Sequence, residues 1–166
     1  MAERLTLRTA GLDDVSTLAE LNQQLLEDEN SQFQPELGVL ANRLADWISG
    51  LEWSVDMFND ERGQIVSYIA HGRRFNQAAP GGDEMYIRQF VIDRAHRRRG
   101  YGQAAIALFL ETRCRPGMRV MLDVLETNPA GRAFWSDIGF APYATIMTLN
   151  APHPTETADR KLPSDK

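Results

Sequence analysis

Apolar residues along this chain change their spacing several times, and each change marks an element. "RLTLRT", residues 4 to 9, alternates and predicts a first strand. Val15, Leu18, Leu21 and Leu25 then recur at helical spacing behind a cap at Thr9 or Asp13, and this helix ends in the acidic "EDEN". Leu37, Leu40, Leu44 and Trp47 or Ile48 supply the buried stripe of a second helix that Pro35 opens. "WSVDMF" and "QIVSYIAHG" are strand-like runs joined by "NDERG", which predicts a hairpin. After the polar loop "RRFNQAAPGGD", "EMYIRQFVID" predicts the next strand, and a helical pattern runs from Gly100 to Arg113 until "PGM" breaks it. "RVMLDVLE" predicts a strand, "PAGRAFWSDIG" a short helix opened by Pro129, and "YATIMTL" a last strand.

Strands and helices are mixed too closely for an all-α or all-β domain, so the class is α/β or α+β around one mixed sheet. No internal repeat or second domain is visible. Residues 1–149 read as a single domain and 150–166 as a polar tail containing three prolines. A hydrophobic fraction of 43% with 25% charged residues suits one soluble domain of 166 residues. No apolar run approaches a membrane span and the first residues lack the core of a secretory signal, which places the protein in the cytoplasm, away from membranes. Cys114 is the only cysteine, which rules out an internal disulfide, and no Cys/His spacing suits a metal.

Charge is distributed unevenly. Residues 1–61 carry 13 acids and 3 bases, while residues 62–120 carry 11 bases and 4 acids. Two solvated faces would explain this, and so would a site that takes an anionic and a cationic ligand together. The densest basic cluster is "RRRGYG", residues 97 to 102, set between a strand and a helix. A helix N-terminus has unpaired N–H groups that bind phosphate when the backbone ahead of it can come close. Gly100 and Gly102 allow that approach, and Arg97, Arg98 and Arg99 add forked donors. The spacing is not that of a Walker loop, and the third glycine of the dinucleotide fingerprint is missing. Nucleic acid is disfavoured by the net charge of −5 and by the lack of interleaved aromatics or a recognisable binding module.

"NPAGRAFWSDIGF", Asn128 to Phe140, follows some 26 residues after Gly102. With "YIRQFVID" and "RRRGYG" in register before it, the sequence resembles the GNAT superfamily of acyl-CoA-dependent N-acetyltransferases. The resemblance implies a mixed, largely antiparallel central sheet of about six to seven strands with four helices. It implies acetyl-CoA as co-substrate with no metal, a small-molecule or peptide amine as acceptor, and a homodimer. The backbone of Arg98, Arg99, Gly100, Tyr101, Gly102 and Gln103 would hold the pyrophosphate, with Arg97 at the motif's first position. Phe90, Val91 and Ile92 would offer main-chain groups to the pantetheine arm, with an N–H at Phe90 or Val91 facing the developing oxyanion. Asn128 would bond the arm, and Phe134 and Trp135 would pack against it or in the core.

The catalytic residues stay open at this level. Many family members have a tyrosine as general acid where this chain has Trp135, leaving Tyr143, Tyr101 and Tyr86 as substitutes. For the base, Glu84 and Tyr86 stand nearest the family's position, and His71, Asp28, Glu29 and Glu126 are further candidates. Asp28 and Glu29 of the "EDEN" turn are expected to attract a cationic acceptor. A fold that binds acyl-CoA without catalysis, as a sensor or interaction module, is the alternative.

Overall fold

Five of the apolar runs pair side by side in the order in which they occur along the chain. The computed structural model describes residues 4–151. Its strands β1 (Thr6–Thr9), β2 (Ser54–Asn59), β3 (Ile65–Phe75), β4 (Asp83–Ile92) and β5 (Arg119–Leu122) form one sheet in the order β1-β2-β3-β4-β5. The first three pairings are antiparallel; short links join β2 to β3 and β3 to β4, while β1 reaches β2 through the two helices between them. β5 lies parallel to β4, which demands a crossover, and helix α3 (Tyr101–Arg113) provides it.

Helices α1 (Val15–Asp28) and α2 (Leu37–Ser49) cover one face. Their Leu18, Ala19, Leu21, Leu26, Leu40 and Leu44 pack on Val55, Met57, Tyr68, Ala70 and Val91. α3 covers the opposite face with Tyr101, Ala105, Ile106 and Phe109 set against Phe58, Val66, Ile69, Met85 and Ile87. Helix α4 (Pro129–Ile138) adds Phe134, Trp135 and Ile138 to that second layer. The period-2 alternation of β2 and β3 feeds both layers, so both faces of the central strands are apolar.

One polar group interrupts the α3 layer. Asp56 is only 1% exposed, yet it accepts hydrogen bonds from Arg113 Nε at 2.7 Å and from Thr9 Oγ1 at 2.9 Å, and lies 2.8 Å from His71 Nε2. Burial alone would raise its carboxyl, but His71, Arg113 and Thr9 together hold it far below the usual carboxylate range. Strands β2 and β3, the end of β1 and the C-terminus of α3 are thereby fastened to one carboxylate.

Several expectations need correction. Among the described residues the sheet has five strands rather than six or seven, with the four helices as expected. "YATIMTL" forms no strand, because residues 141–151 lie in neither strand nor helix and no strand pairs with them. "RVMLDVLE" is strand only to Leu122. Neither Thr9 nor Asp13 caps α1: Thr9 serves Asp56, and it is Asp14 that accepts the Gly11 N–H at 2.8 Å while pairing with Arg8 at 2.7 Å. Most of the proposed tail, residues 152–166, lies outside the described residues.

Asp56→Asn is expected to cost about 2–3 kcal/mol, since removing one partner of a buried pair leaves the others uncompensated and Arg113 can still reach solvent. With its folded-state pKa depressed, the carboxylate's contribution is present above the unfolded value and is lost as pH falls through and below about 4. Urea unfolding of both proteins across that range checks this. An Asn variant within ~0.5 kcal/mol of wild type at pH 7 would show that the cluster is not a fastening.

Candidate active site

The pairing of β4 with β5 covers only Glu84 to Ile87 against Arg119 to Leu122. On the other side of β4 the ladder slips: Ala70 faces Gln89 while His71 faces Ile87, so Arg88 is an extra, bulged residue. Past the bulge, β4 keeps its partner in β3 and has no strand on its other side. The Asp93 N–H donates to Val66 O at 2.9 Å, towards β3. By the alternation of an antiparallel ladder, Val91 and Gln89 also turn their backbone groups to β3, and Phe90 and Ile92 turn theirs to the open edge. Of the two N–H groups named as oxyanion donors, that of Phe90 faces the open edge and that of Val91 faces β3.

Beside that edge, "RRRGYG" turns the chain into α3. Gly100 has φ +83° with open space where a Cβ would stand, and Arg98 is also left-handed at φ +58°. The first helical bond runs from Ala104 N–H to Gly100 O, so the N–H groups of Tyr101, Gly102 and Gln103 have no partner within the helix. Gly102 is needed for a reason that spacing does not show: a Cβ there would stand 2.8 Å from Phe134 Cε2. Its smallness seats α4 on α3. Arg97 bonds Ile92 O at 3.0 Å and Asp28 Oδ2 at 2.5 Å, and Arg94 bonds Asp28 Oδ1 and Glu27 at 2.8 Å.

Asp28 is thus spent on fixing the basic turn to α1. Burial would raise its carboxyl, but Arg97 and Arg94 hold it below its ordinary range. Glu29, the other member of the expected acceptor pair, is half-buried, and burial together with the charge of Asp28 pushes its carboxyl up against the pull of Arg88. Its backbone carbonyl accepts from Thr127 Oγ1 at 2.8 Å, tying the end of α1 to the loop before α4.

The aromatic residues of α4 pack on Phe90 of β4. Phe134 stacks on Phe90 at 5.8 Å, and Trp135 packs between Phe90 at 5.5 Å and Phe140 at 5.2 Å. Asn128 caps α4 by accepting the Gly131 N–H at 2.8 Å on Oδ1, which aims its remaining amide group from a fixed position.

Other candidates are carried away from the open edge. Glu84 lies six residues from Phe90, about 20 Å along an extended strand, and is buried in a hydrogen bond from Asn76 at 2.8 Å. Tyr143 touches the same remote end, with its ring 5.5 Å from the Arg119 guanidinium. His71 is held by Asp56, and Glu126 is exposed and paired with Arg132 at 2.7 Å. Tyr101 is buried under α3 with its ring near His96.

Tyr86 is closer, and it brings a residue that motif spacing passed over. Its hydroxyl donates to Asp123 Oδ2 at 2.6 Å, and burial first, then this bond, push the phenol up. Asp123 follows Leu122, the last paired residue of β5, so its carboxylate stands at the mouth where β4 and β5 part. An acid directly after a strand's C-terminal end is the signal that could have found it. Trp53 at 6.1 Å from Tyr86 and Trp47 at 6.1 Å from Trp53 continue an aromatic floor towards α2.

A sheet with an opened parallel pair, a glycine turn at a helix N-terminus and an aromatic α4 behind it define a GNAT-like acetyltransferase fold. The chain matches the model of the acetyltransferase (GNAT) family over residues 20–140, and it belongs to that family. A mutant of the BH1408 protein from Bacillus halodurans superposes with a TM-score of 0.72 at 22% identity, covering 89% of this chain and 99% of that one. A predicted acetyltransferase from Clostridium acetobutylicum, solved with acetyl-CoA, gives 0.66 at 18% identity over 89% and 96%. The aminoglycoside 6'-N-acetyltransferase of Acinetobacter baumannii gives 0.67 at 10% identity over 90% and 99%. No curated protein matches the sequence. Among the described residues no helix is long and apolar enough to cross a membrane, and no cluster of His, Cys, Asp or Glu is placed to hold a metal.

Gly102→Ala is expected to destabilise through Phe134, and Gly102→Ala with Phe134→Leu to recover most of the loss. Gly100→Ala should lose about 1 kcal/mol from its left-handed backbone, with no such rescue. Urea midpoints of the three variants decide this, and a Gly102→Ala protein as stable as wild type would remove the packing role.

Proposed function

We propose that this protein is an N-acetyltransferase that transfers the acetyl group of acetyl-CoA to a primary amine of a small molecule or peptide by direct attack on the thioester. The observation that carries the reading is the alignment of two backbone arrays: the N–H groups of residues 101–103, which have no partner within the helix, and the edge of β4 past the bulge, where Phe90 and the Ile92 N–H face no strand while Arg97 already holds the Ile92 carbonyl. The first suits a pyrophosphate, with Arg98 and Arg99 beside it. The second suits the amide groups of a pantetheine arm laid as an added strand. Acetyl-CoA supplies the thioester, and the N–H of Phe90 is the donor for its carbonyl oxygen.

Asp123 is the base we assign, acting on the amine directly or through water, with Tyr86 as the positioning residue that fixes its carboxylate. The rest of the acceptor face is more basic than the "EDEN" turn suggests. Asp28 and Glu27 are neutralised by Arg94 and Arg97, while Arg88 stands exposed on the bulge, and Arg74 covers the Tyr86 ring at 3.3 Å. This balance favours an amine that also carries an anionic group over a polycation.

Acetyl-CoA at a hundredfold excess over its dissociation constant should stabilise the protein by about 2.7 kcal/mol, and Arg98→Glu should weaken this shift. Thiol release in an amine screen, with carboxylate-bearing amines beside polyamines, then separates enzyme from sensor. Asp123→Asn should lower kcat by roughly 10²–10⁴-fold with the acetyl-CoA thermal shift retained. Stabilisation without thiol release from any amine would favour the non-catalytic reading, and no stabilisation would sink both.

A further inference from the structure

Many arginines of this chain are held by a carboxylate, as Arg94 and Arg97 are by Asp28, Arg113 by Asp56 and Arg132 by Glu126. Arg43 of α2 is not. Of the arginines without a carboxylate partner among the described residues, it alone is half-buried, and Arg74 and Arg88 are exposed. Its one hydrogen bond runs from Nη2 to the neutral Oδ1 of Asn22 at 2.5 Å, and Asn22 is fully buried. Arg43 Nε and Asn22 Nδ2 are buried with no hydrogen-bond partner among the described residues. A guanidinium taken out of water beside a neutral amide is costly, and unbonded donors add to the cost. Burial pulls Arg43 below its ordinary pKa; Tyr68 opposes this and the charge of Arg88 reinforces it. An anion seated between α1 and α2 would supply the acceptors that both side chains lack.

An aromatic row connects Arg43 to the mouth at Asp123. The Arg43 guanidinium carbon lies 5.3 Å from the centre of the Trp47 ring, Trp47 is 6.1 Å from Trp53, Trp53 is 6.1 Å from Tyr86, and the Tyr86 hydroxyl holds Asp123. Both indoles are half-buried. A cation thus stands at one end of the row and a carboxylate at the other. Tyr68 donates to Gln89 Oε1 at 3.0 Å, next to the bulge that carries Arg88. The charge of Arg88 is felt at Tyr86, at Glu29 and at Arg43, which puts all three around one cleft. Glu29, whose carboxyl is raised by burial and by Asp28, forms no ion pair with Arg43 or Arg88.

Resting on the acetyltransferase reading of that mouth, we infer that Arg43, with Arg88, binds an anionic group of the acceptor, whose body lies over Trp53 and Trp47 and whose amine meets Asp123. The acceptor class is then an amine joined through an apolar or aromatic body to a carboxylate or a phosphate. A guanidinium fork matches either anion. Arg43 is a specificity residue here and touches no reacting atom. Its contact with Trp47 would stabilise α2 without requiring that Nε and Asn22 Nδ2 be left unbonded, so packing alone does not account for it.

Benzoate is an unreactive probe of the subsite: with CoA present it should raise the unfolding midpoint of the wild type, and benzamide should not. In turnover, para-aminomethylbenzoate is compared with its amide, and phosphoethanolamine with ethanolamine, by thiol release. The KM of the wild type should be at least about tenfold lower for the anionic member of a pair. Arg43→Gln should raise that KM by about 10–100-fold and erase the preference, and Arg43→Lys, which keeps the charge without the fork, should restore part of it. Arg88→Gln, on the exposed bulge, should weaken the preference without touching the core, and the acetyl-CoA thermal shift reports that each variant is folded. The pair with the larger discrimination identifies the anion as carboxylate or phosphate. Equal KM values within both pairs, equal shifts with benzoate and benzamide, or a preference unchanged in Arg43→Gln and Arg88→Gln would each overturn the subsite. Thiol release from no amine, with benzoate binding intact and lost in Arg43→Gln, would instead count against the proposed function and leave the anion subsite standing.

Discussion

The parallel pairing of β4 with β5 has to stop, and the arrangement of the site follows from where it does. Four residue pairs join the strands before the bulge at Arg88 turns β4 aside and β5 ends at Leu122. Had the ladder continued, the backbone of Phe90 and Ile92 would be satisfied within the sheet and nothing could be added there. The bulge costs one unpaired residue and yields an edge inside the sheet rather than at its rim. Asp123 and Tyr86 stand at that mouth from one face, and Phe90, Phe134 and Trp135 close it from the other.

Keeping the edge open needs rigidity on both sides of it. Asp56 fastens β2, β3, β1 and the end of α3 to one another, at the end of α3 opposite the glycine turn. Asp28 fastens that turn to α1 through Arg94 and Arg97. Two carboxylates thus fix the two ends of the crossover helix. A turn that keeps its N–H groups unpaired is better organised for an anion when its arginines are already held in place, since less ordering remains to be done on binding. The acidic N-terminal third and the basic centre meet here as ion pairs within the protein, which the charge tally alone could not distinguish from two ligand-binding faces.

The elements governed by local pattern were legible in the sequence: both amphipathic helices before Trp53, the hairpin, the crossover helix and the "RRRGYG" turn. What was not legible depends on partners far apart in the chain. "YATIMTL" alternates as a strand should, but a strand exists only where a neighbour offers its ladder, and none is offered within the described residues. Gly102 reads as a concession to a ligand until Phe134, some thirty residues on, is seen to occupy the space of its Cβ. Glu84 has the chemistry of a base, and only the strand's length reveals that it lies at the opposite end of β4 from Phe90. Asp123 had no motif to announce it. Its significance comes from a 2.6 Å contact with Tyr86, a residue 37 positions earlier.

Trp135 fits this picture better than it fits a list of missing catalytic groups. An indole cannot usefully protonate a leaving sulfur, but a thiol ionises near ~8.5, so a thiolate departs without a strong acid. What the position supplies here is bulk: Trp135 contacts Phe90, Phe134 and Phe140 and fixes α4 against the strand whose edge must stay free. In the proposed reaction the proton that does need a destination is the one on the attacking nitrogen, because an ammonium has no lone pair with which to attack. A single carboxylate at the mouth, oriented by a buried phenol, answers that requirement. In the proposed reaction the proton transfer rests on Asp123, and the aromatic block holds α4 against β4.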